Sequence, residues 1–218
     1  MDDEESYDYM VKYIVIGDMA VGKSSIILSY TKNEFPSHYK VTLGVDFETK
    51  IVTIEDTKLY LQICDTAGSE SFKSITRSFF HNSTVVVIVY DVTKKETFHN
   101  VKNWLKECQE VNNEHLIKIL VANKIDKPDD IKEVTSEEGD ELAEEEGMLF
   151  IKASAKNRIN IDKIFVESAK IVVENIKNNV YDLSSNIDGI KTNKTDHITH
   201  NVKLTKHKSR KKRYFCCY

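Results

Sequence analysis

Residues Gly17-Asp18-Met19-Ala20-Val21-Gly22-Lys23-Ser24 have the spacing G-x-x-x-x-G-K-S. The chemistry this spacing serves is phosphate binding. Gly17 and Gly22 let the backbone turn tightly and approach an anion. Successive N–H groups, from Gly17 through Ala20, Val21 and Gly22 to Lys23, Ser24 and Ser25, can wrap phosphate oxygens, and the following helix N-terminus adds a favourable partial charge. Lys23 brings a full charge to the outer phosphates, and the Ser24 hydroxyl can ligate Mg²⁺. The competing reading is a glycine-containing turn with a chance Lys-Ser. It loses ground as further motifs accumulate downstream.

Asp65-Thr66-Ala67-Gly68 places a carboxylate where it can hold Mg²⁺, usually through water, and Gly68 can offer its N–H to a terminal phosphate. Asn123-Lys124-Ile125-Asp126 supplies a second carboxylate. Asp126 can accept two hydrogen bonds, from the ring N–H and exocyclic amine of guanine, a donor pair that adenine lacks. The Lys124 stem can pack along the base. Ser154-Ala155-Lys156 can turn the Ala155 N–H toward the guanine O6. Each short motif is weak alone. Asp126 by itself reads as an exposed turn residue.

The elements that must position these residues are legible as alternating periods. Val11–Ile16, Asp46–Ile54, Lys58–Cys64, Val85–Tyr90, Ile117–Ala122 and Met148–Ile151 read as six strands. The second and third form a hairpin across Glu55-Asp56-Thr57, and the β-branched run Val85–Tyr90 suits a strand buried on both faces of a parallel sheet. Helical periods follow the phosphate loop to about Lys32 and recur at Thr97–Val111, Thr135–Glu146 and Ile161–Ile176. Thr135-x-x-Glu138 is a capping box in pattern, and Gly147 is placed to stop that helix. The fold class is α/β: a P-loop domain with a six-stranded, mostly parallel sheet and helices on both faces. All four motifs then sit at C-terminal strand ends, where open α/β sheets bind ligands.

The expected organisation is an acidic, disordered extension over residues 1–8, a nucleotide domain over 9–178, and a flexible tail over 179–218. The 218-residue chain carries a net charge of −4. Lys203–Arg213 contributes seven basic and no acidic residues, so the rest of the chain carries −11. An acidic body with a basic tail points to an anionic surface as the tail's partner. The N-terminus lacks an apolar signal-peptide core, and the longest apolar run, Val85–Tyr90, is too short to span a bilayer. A cytosolic chain is expected, with Cys64 and Cys108 as reduced core thiols.

These motifs, in this order, make the chain similar to the Ras superfamily of small GTPases. Within it the chain resembles the Rab family. The carrying residues are Thr42–Phe47, Tyr60–Asp65, Gly68–Phe72, Phe79–Ser83 and Tyr90–Thr93, together with Cys216-Cys217. The resemblance implies GTP and GDP as ligands with Mg²⁺, held by Ser24, Thr42 and Asp65. It makes Lys23, Thr42, Gly68 and Ser69 the catalytic set, stacks Phe35 on the guanine, and defines switches I and II at 36–47 and 66–82. It further implies an exchange factor, an activating protein, a GDP-dissociation inhibitor, an escort protein and effectors that read the switches. The chain is expected to be a monomer, without nucleic acid, working in vesicle and protein transport. Cys216 and Cys217 resemble the double-prenylation signal; a C-a-a-X box would need Cys where Phe215 stands. The expected location is the cytosol and the cytoplasmic face of an endomembrane, anchored by prenyl groups.

Four residues, at three places, depart from the Rab pattern. Ser69 stands where the family usually has the Gln that orients the attacking water, so slow hydrolysis is expected. Met19 and Ala20 replace smaller loop residues. Cys64 replaces a Trp that, with the positions of Phe47 and Phe79, forms an effector-facing aromatic triad. Ser69 also supports an alternative, a nucleotide-binding interaction module that stays GTP-bound. A P-loop kinase using ATP matches Gly17–Ser24 as well, but Asp126 and Ser154–Lys156 argue against it.

Overall fold

The computed structural model describes residues 6–36, 42, 44–67, 80, 82–110, 113–184 and 188–193. The expectations for Gly68, Ser69, Phe79, most of switch II, part of switch I, the basic run and Cys216-Cys217 lie outside them.

The first strand, Tyr9–Ile16 (β1), leads into the phosphate loop and the helix Lys23–Thr31 (α1). The hairpin Val45–Ile54 (β2) and Thr57–Thr66 (β3) is antiparallel over ten residue pairs. Val85–Asp91 (β4) is buried along its whole length, as its unbroken β-branched run predicts. The remaining units are Lys95–His99 (α2), Val101–Gln109 (α3), Ile117–Asn123 (β5), Ser136–Glu145 (α4), Leu149–Lys152 (β6) and Ile161–Lys177 (α5). A three-residue strand, Ile190–Thr192 (β7), lies near the end of the described residues.

The sheet has seven strands where the sequence predicts six. Its order is β2-β3-β1-β4-β5-β6, with β7 paired to β1. Ladders β3-β1-β4-β5-β6 are parallel. The pleat sends alternate side chains to opposite faces. Val11, Tyr13 and Val15 therefore meet α1 and α5 on one face, while Ile14 and Ile16 share the other with Trp104, Leu105 and Leu142. On the first face Tyr30 stacks on Phe165 with ring centroids 3.9 Å apart, and the buried Tyr13 hydroxyl meets Ser168 Oγ at 3.0 Å.

The predicted capping box is present: Glu138 N donates to Thr135 Oγ1 at 3.2 Å, and Thr135 N to Glu138 Oε2 at 2.9 Å. The helix predicted over Thr97–Val111 is instead divided at Asn100, whose side chain is engaged elsewhere.

Both termini correct the sequence reading. Residues 6–8 are not loose: Tyr7 stacks on Tyr60, and Asp8 Oδ2 accepts a hydrogen bond from Lys58 N at 2.8 Å. Of the tail expected to be free from 179 onward, the described residues 179–184 and 188–193 fold back onto the domain. Tyr9, Met10 and Val11 pair with Thr192, Lys191 and Ile190. Tyr181 and Ile190 are buried in the first core face, and Thr84 Oγ1 donates to Asp188 O at 2.7 Å. The physical reason lies in β4. Its ladder with β1 begins only at the Tyr13–Val85 pair, so residues 9–11 would leave unpaired polar backbone on that side. β7 fills this edge.

Candidate nucleotide site

The loop is shaped before any ligand is considered. Gly17 has φ +137, and a Cβ there would lie 2.2 Å from Val89 O; Gly22 has φ +102, and its Cβ would lie 2.3 Å from Asn123 Nδ2. Both positions therefore require glycine. Lys23, only 6% exposed, curls over the loop and donates to Gly17 O at 2.8 Å and Asp18 O at 2.9 Å. Burial pushes its ammonium down to about 8, against the opposing pull of Asp65 and then Asp18. Polyphosphate oxygens beside it would supply the countercharge that burial withholds.

Ser24, at the start of α1, donates to Asp65 Oδ2 at 2.5 Å. Thr42 Oγ1 lies 2.9 Å from Ser24 Oγ and 3.4 Å from that same carboxylate oxygen. The three predicted metal residues thus converge from three parts of the chain. Asp65 Oδ1 is buried with no hydrogen-bond partner among the described residues. Burial raises the Asp65 carboxyl above the usual range, while hydrogen bonding from Ser24 and the Lys23 charge act the other way. Two hydroxyls around a buried carboxylate with an unsatisfied oxygen suit a hard cation or its hydration water, so the set fits Mg²⁺.

The base-side motifs assemble at the ends of β5 and β6. Asn123 Nδ2 donates to Val21 O at 2.8 Å, and its Oδ1 accepts from Ala155 N at 3.3 Å. Asn123 is a brace between the phosphate loop and Ser154–Lys156. The Ala155 N–H, expected to face the base, bonds to this brace here. Lys124, at φ +67, reaches Ala20 O at 2.8 Å and Asp91 Oδ2 at 2.6 Å. Asp126 Oδ1 accepts from Ser154 Oγ at 2.6 Å, which fixes the carboxylate's orientation. Phe35 is 49% exposed, an aromatic face available for stacking.

Several contributors escaped the sequence reading. Asp91, 1% exposed, holds Lys124 and accepts from Thr93 N and Oγ1. An aspartate closing a buried apolar strand was the available signal. Asp18, to which the loop spacing assigns no role, has both its carboxylate oxygens engaged. Cys64 is fully buried on the face shared with Phe80, and burial pushes its thiol up to about 12. It therefore influences the neighbouring Phe47 surface from beneath. Phe47 pairs with it across the hairpin and is 43% exposed.

Loop, metal residues and base-side braces form one continuous wall along the C-terminal edge of the parallel strands. Compared with known protein families, residues 12–174 match the family described as Ras family.

Proposed function

The chain belongs to the Ras family and is a small GTPase, and within that family we propose that it is a Rab-type, membrane-anchored switch in vesicle transport. The observation that carries the switch reading is the approach of Thr42 to Ser24 and Asp65. Thr42 comes from the segment assigned to switch I, while Ser24 and Asp65 belong to the rigid loop and sheet. A group bound among these three would tie the segment assigned to switch I to the phosphate loop and the sheet, so in this reading its retention reports the nucleotide state.

In this reading Lys23 turns its ammonium from the loop carbonyls to the β- and γ-phosphates. Ser24, Thr42 and Asp65 would hold Mg²⁺, which would supply neutralisation of the phosphate charge. Asp126, oriented by Ser154, accepts from guanine, and Phe35 covers the base. Gly68 is assigned the N–H that meets the γ-phosphate. Ser69 is left to orient the attacking water with a hydroxyl shorter than the usual amide and lacking its forked geometry, so hydrolysis is slow. An exchange factor, an activating protein and effectors act through the switches. A GDP-dissociation inhibitor and an escort protein handle prenylated Cys216 and Cys217. The basic run Lys203–Arg213 supports attachment to the anionic cytoplasmic leaflet. Ser69 also keeps a second reading in view, an interaction module that stays GTP-loaded.

The test has two arms. Ser24→Asn should weaken Mg²⁺–GTP binding more than GDP binding, and an unchanged GTP-to-GDP ratio would remove Ser24 from the metal set. Replacing Cys216 and Cys217 by Ser should release the protein from cell membranes into the cytosol. Persistent pelleting of that variant would remove the prenyl anchor.

A further inference from the structure

The phosphate loop is braced from a side that its motif does not encode. Asp18 Oδ2 accepts from Asn100 Nδ2 at 2.7 Å, and Oδ1 accepts from Trp104 Nε1 at 2.8 Å. The two donors are four residues apart, so they project from one helical face. Asn100 is the junction between α2 and α3, and its own Oδ1 accepts from Asn103 Nδ2 at 3.3 Å, which turns the amide nitrogen toward Asp18. Trp104 is 7% exposed and anchored in the apolar face that includes Ile88 and Leu105. The main-chain carbonyl of Asp18 also receives Lys23 Nζ.

Ala20 O is held by Lys124 and Val21 O by Asn123. The loop is therefore fixed at positions 18, 20 and 21, from α3 on one side and from the base-side motif on the other. Met19, 57% exposed, is the tip between these anchors. A carboxylate with both oxygens taken by oriented donors holds its backbone more firmly than a solvated one.

We propose that Asp18, Asn100 and Trp104 are positioning residues that hold the outer arm of the phosphate loop in its binding shape, so that nucleotide residence depends on the α2–α3 junction. The inference rests on the reading of Gly17–Ser24 as the phosphate site. It has a built-in reporter, because Trp104 is the chain's sole tryptophan.

The experiment uses the full chain loaded with a fluorescent GDP analogue. Trp104→Phe keeps the packed ring but removes the donor, and Asp18→Asn leaves one acceptor where there were two. Each should speed GDP release by about tenfold, the equivalent of ~1.4 kcal/mol. The double variant should be no faster than the faster single one, because both cut the same network. The preference for guanine over xanthine nucleotide should stay unchanged, since the base side is untouched. In wild type, exchange of GDP for a non-hydrolysable GTP analogue should shift the tryptophan emission, and Asp18→Asn should shrink that shift. Unchanged release rates in both singles, or fully additive rates in the double, would overturn the inference. Failure of the wild type to retain any guanine nucleotide would instead bring down the phosphate-site reading and this inference with it.

Discussion

Gly189 offers a direct measurement of what the folded-back tail contributes. Its φ is +71, and a Cβ built there lies 2.0 Å from Asn82 O and 2.6 Å from Asn82 C. These are backbone atoms of the loop entering β4, so they cannot swing aside as a flexible side chain could. Gly189→Ala therefore forces residues 188–192 off the sheet. The left-handed backbone alone costs roughly 1–2 kcal/mol for a residue with a Cβ. The steric overlap adds to this until undocking becomes the cheaper state. The loss is capped at the net free energy of docking, because an undocked tail feels no clash. Ile190→Asp attacks the same element by another route. It forfeits about 2 kcal/mol of apolar burial at a side chain only 2% exposed. Each variant should thus lose about 2 kcal/mol, seen as a fall in Tm of roughly 4–8 °C for a domain of this size. The double variant should lose no more than either single one. The assay is thermal unfolding of the GDP-bound protein. Losses that sum in the double variant, or a Gly189→Ala protein as stable as wild type, would refute the claim that one docked strap is being measured.

Asp126→Asn should move preference from guanine toward xanthine nucleotides, read by competition binding. Full GDP affinity with xanthine rejected would show that Asp126 is not the base reader. Ser69→Gln should raise single-turnover γ-phosphate release by about tenfold, or ~1.4 kcal/mol of barrier. A wild-type rate equal to the variant's would mean that Ser69 is not limiting, and would remove the support for a permanently GTP-loaded module. Thr135→Ala should cost about 1 kcal/mol through loss of the cap on Glu138 N, and an unchanged urea midpoint would contradict the capping-box account.

The site was legible where its chemistry demands a fixed spacing. Gly17, Gly22, Lys23 and Ser24 are locked together by the geometry of a loop around an anion, and Asn123 and Asp126 by their strand-end turn. Asp18 was not legible, because its partners lie 82 and 86 residues downstream and no local spacing announces them. Asn123 was assigned to the base side as a motif member, but its more evident work is structural, tying Val21 O to Ala155 N. Motif spacing reveals which residues gather around the ligand. It does not reveal which of them spend their hydrogen bonds on each other.

The missed seventh strand follows from the same limit. Residues 179–193 are rich in Asn, Asp and Ser and carry no periodic apolar pattern, so composition argues for a free linker. Only Tyr181, Gly189 and Ile190 hint otherwise, and each is unremarkable alone. The demand for a strand comes from elsewhere, from β1 extending below the start of its ladder with β4. Backbone groups at Tyr9–Val11 need partners, and a burial site exists beside them for one aromatic and one aliphatic side chain. Any segment that reaches the place with a glycine to clear Asn82 O and an isoleucine to enter the core can serve. Strand formation here is set by the vacancy at a sheet edge rather than by the propensity of the three residues that fill it. This predicts that the exposed Lys191 and Thr192 tolerate substitution far better than Gly189 and Ile190 do.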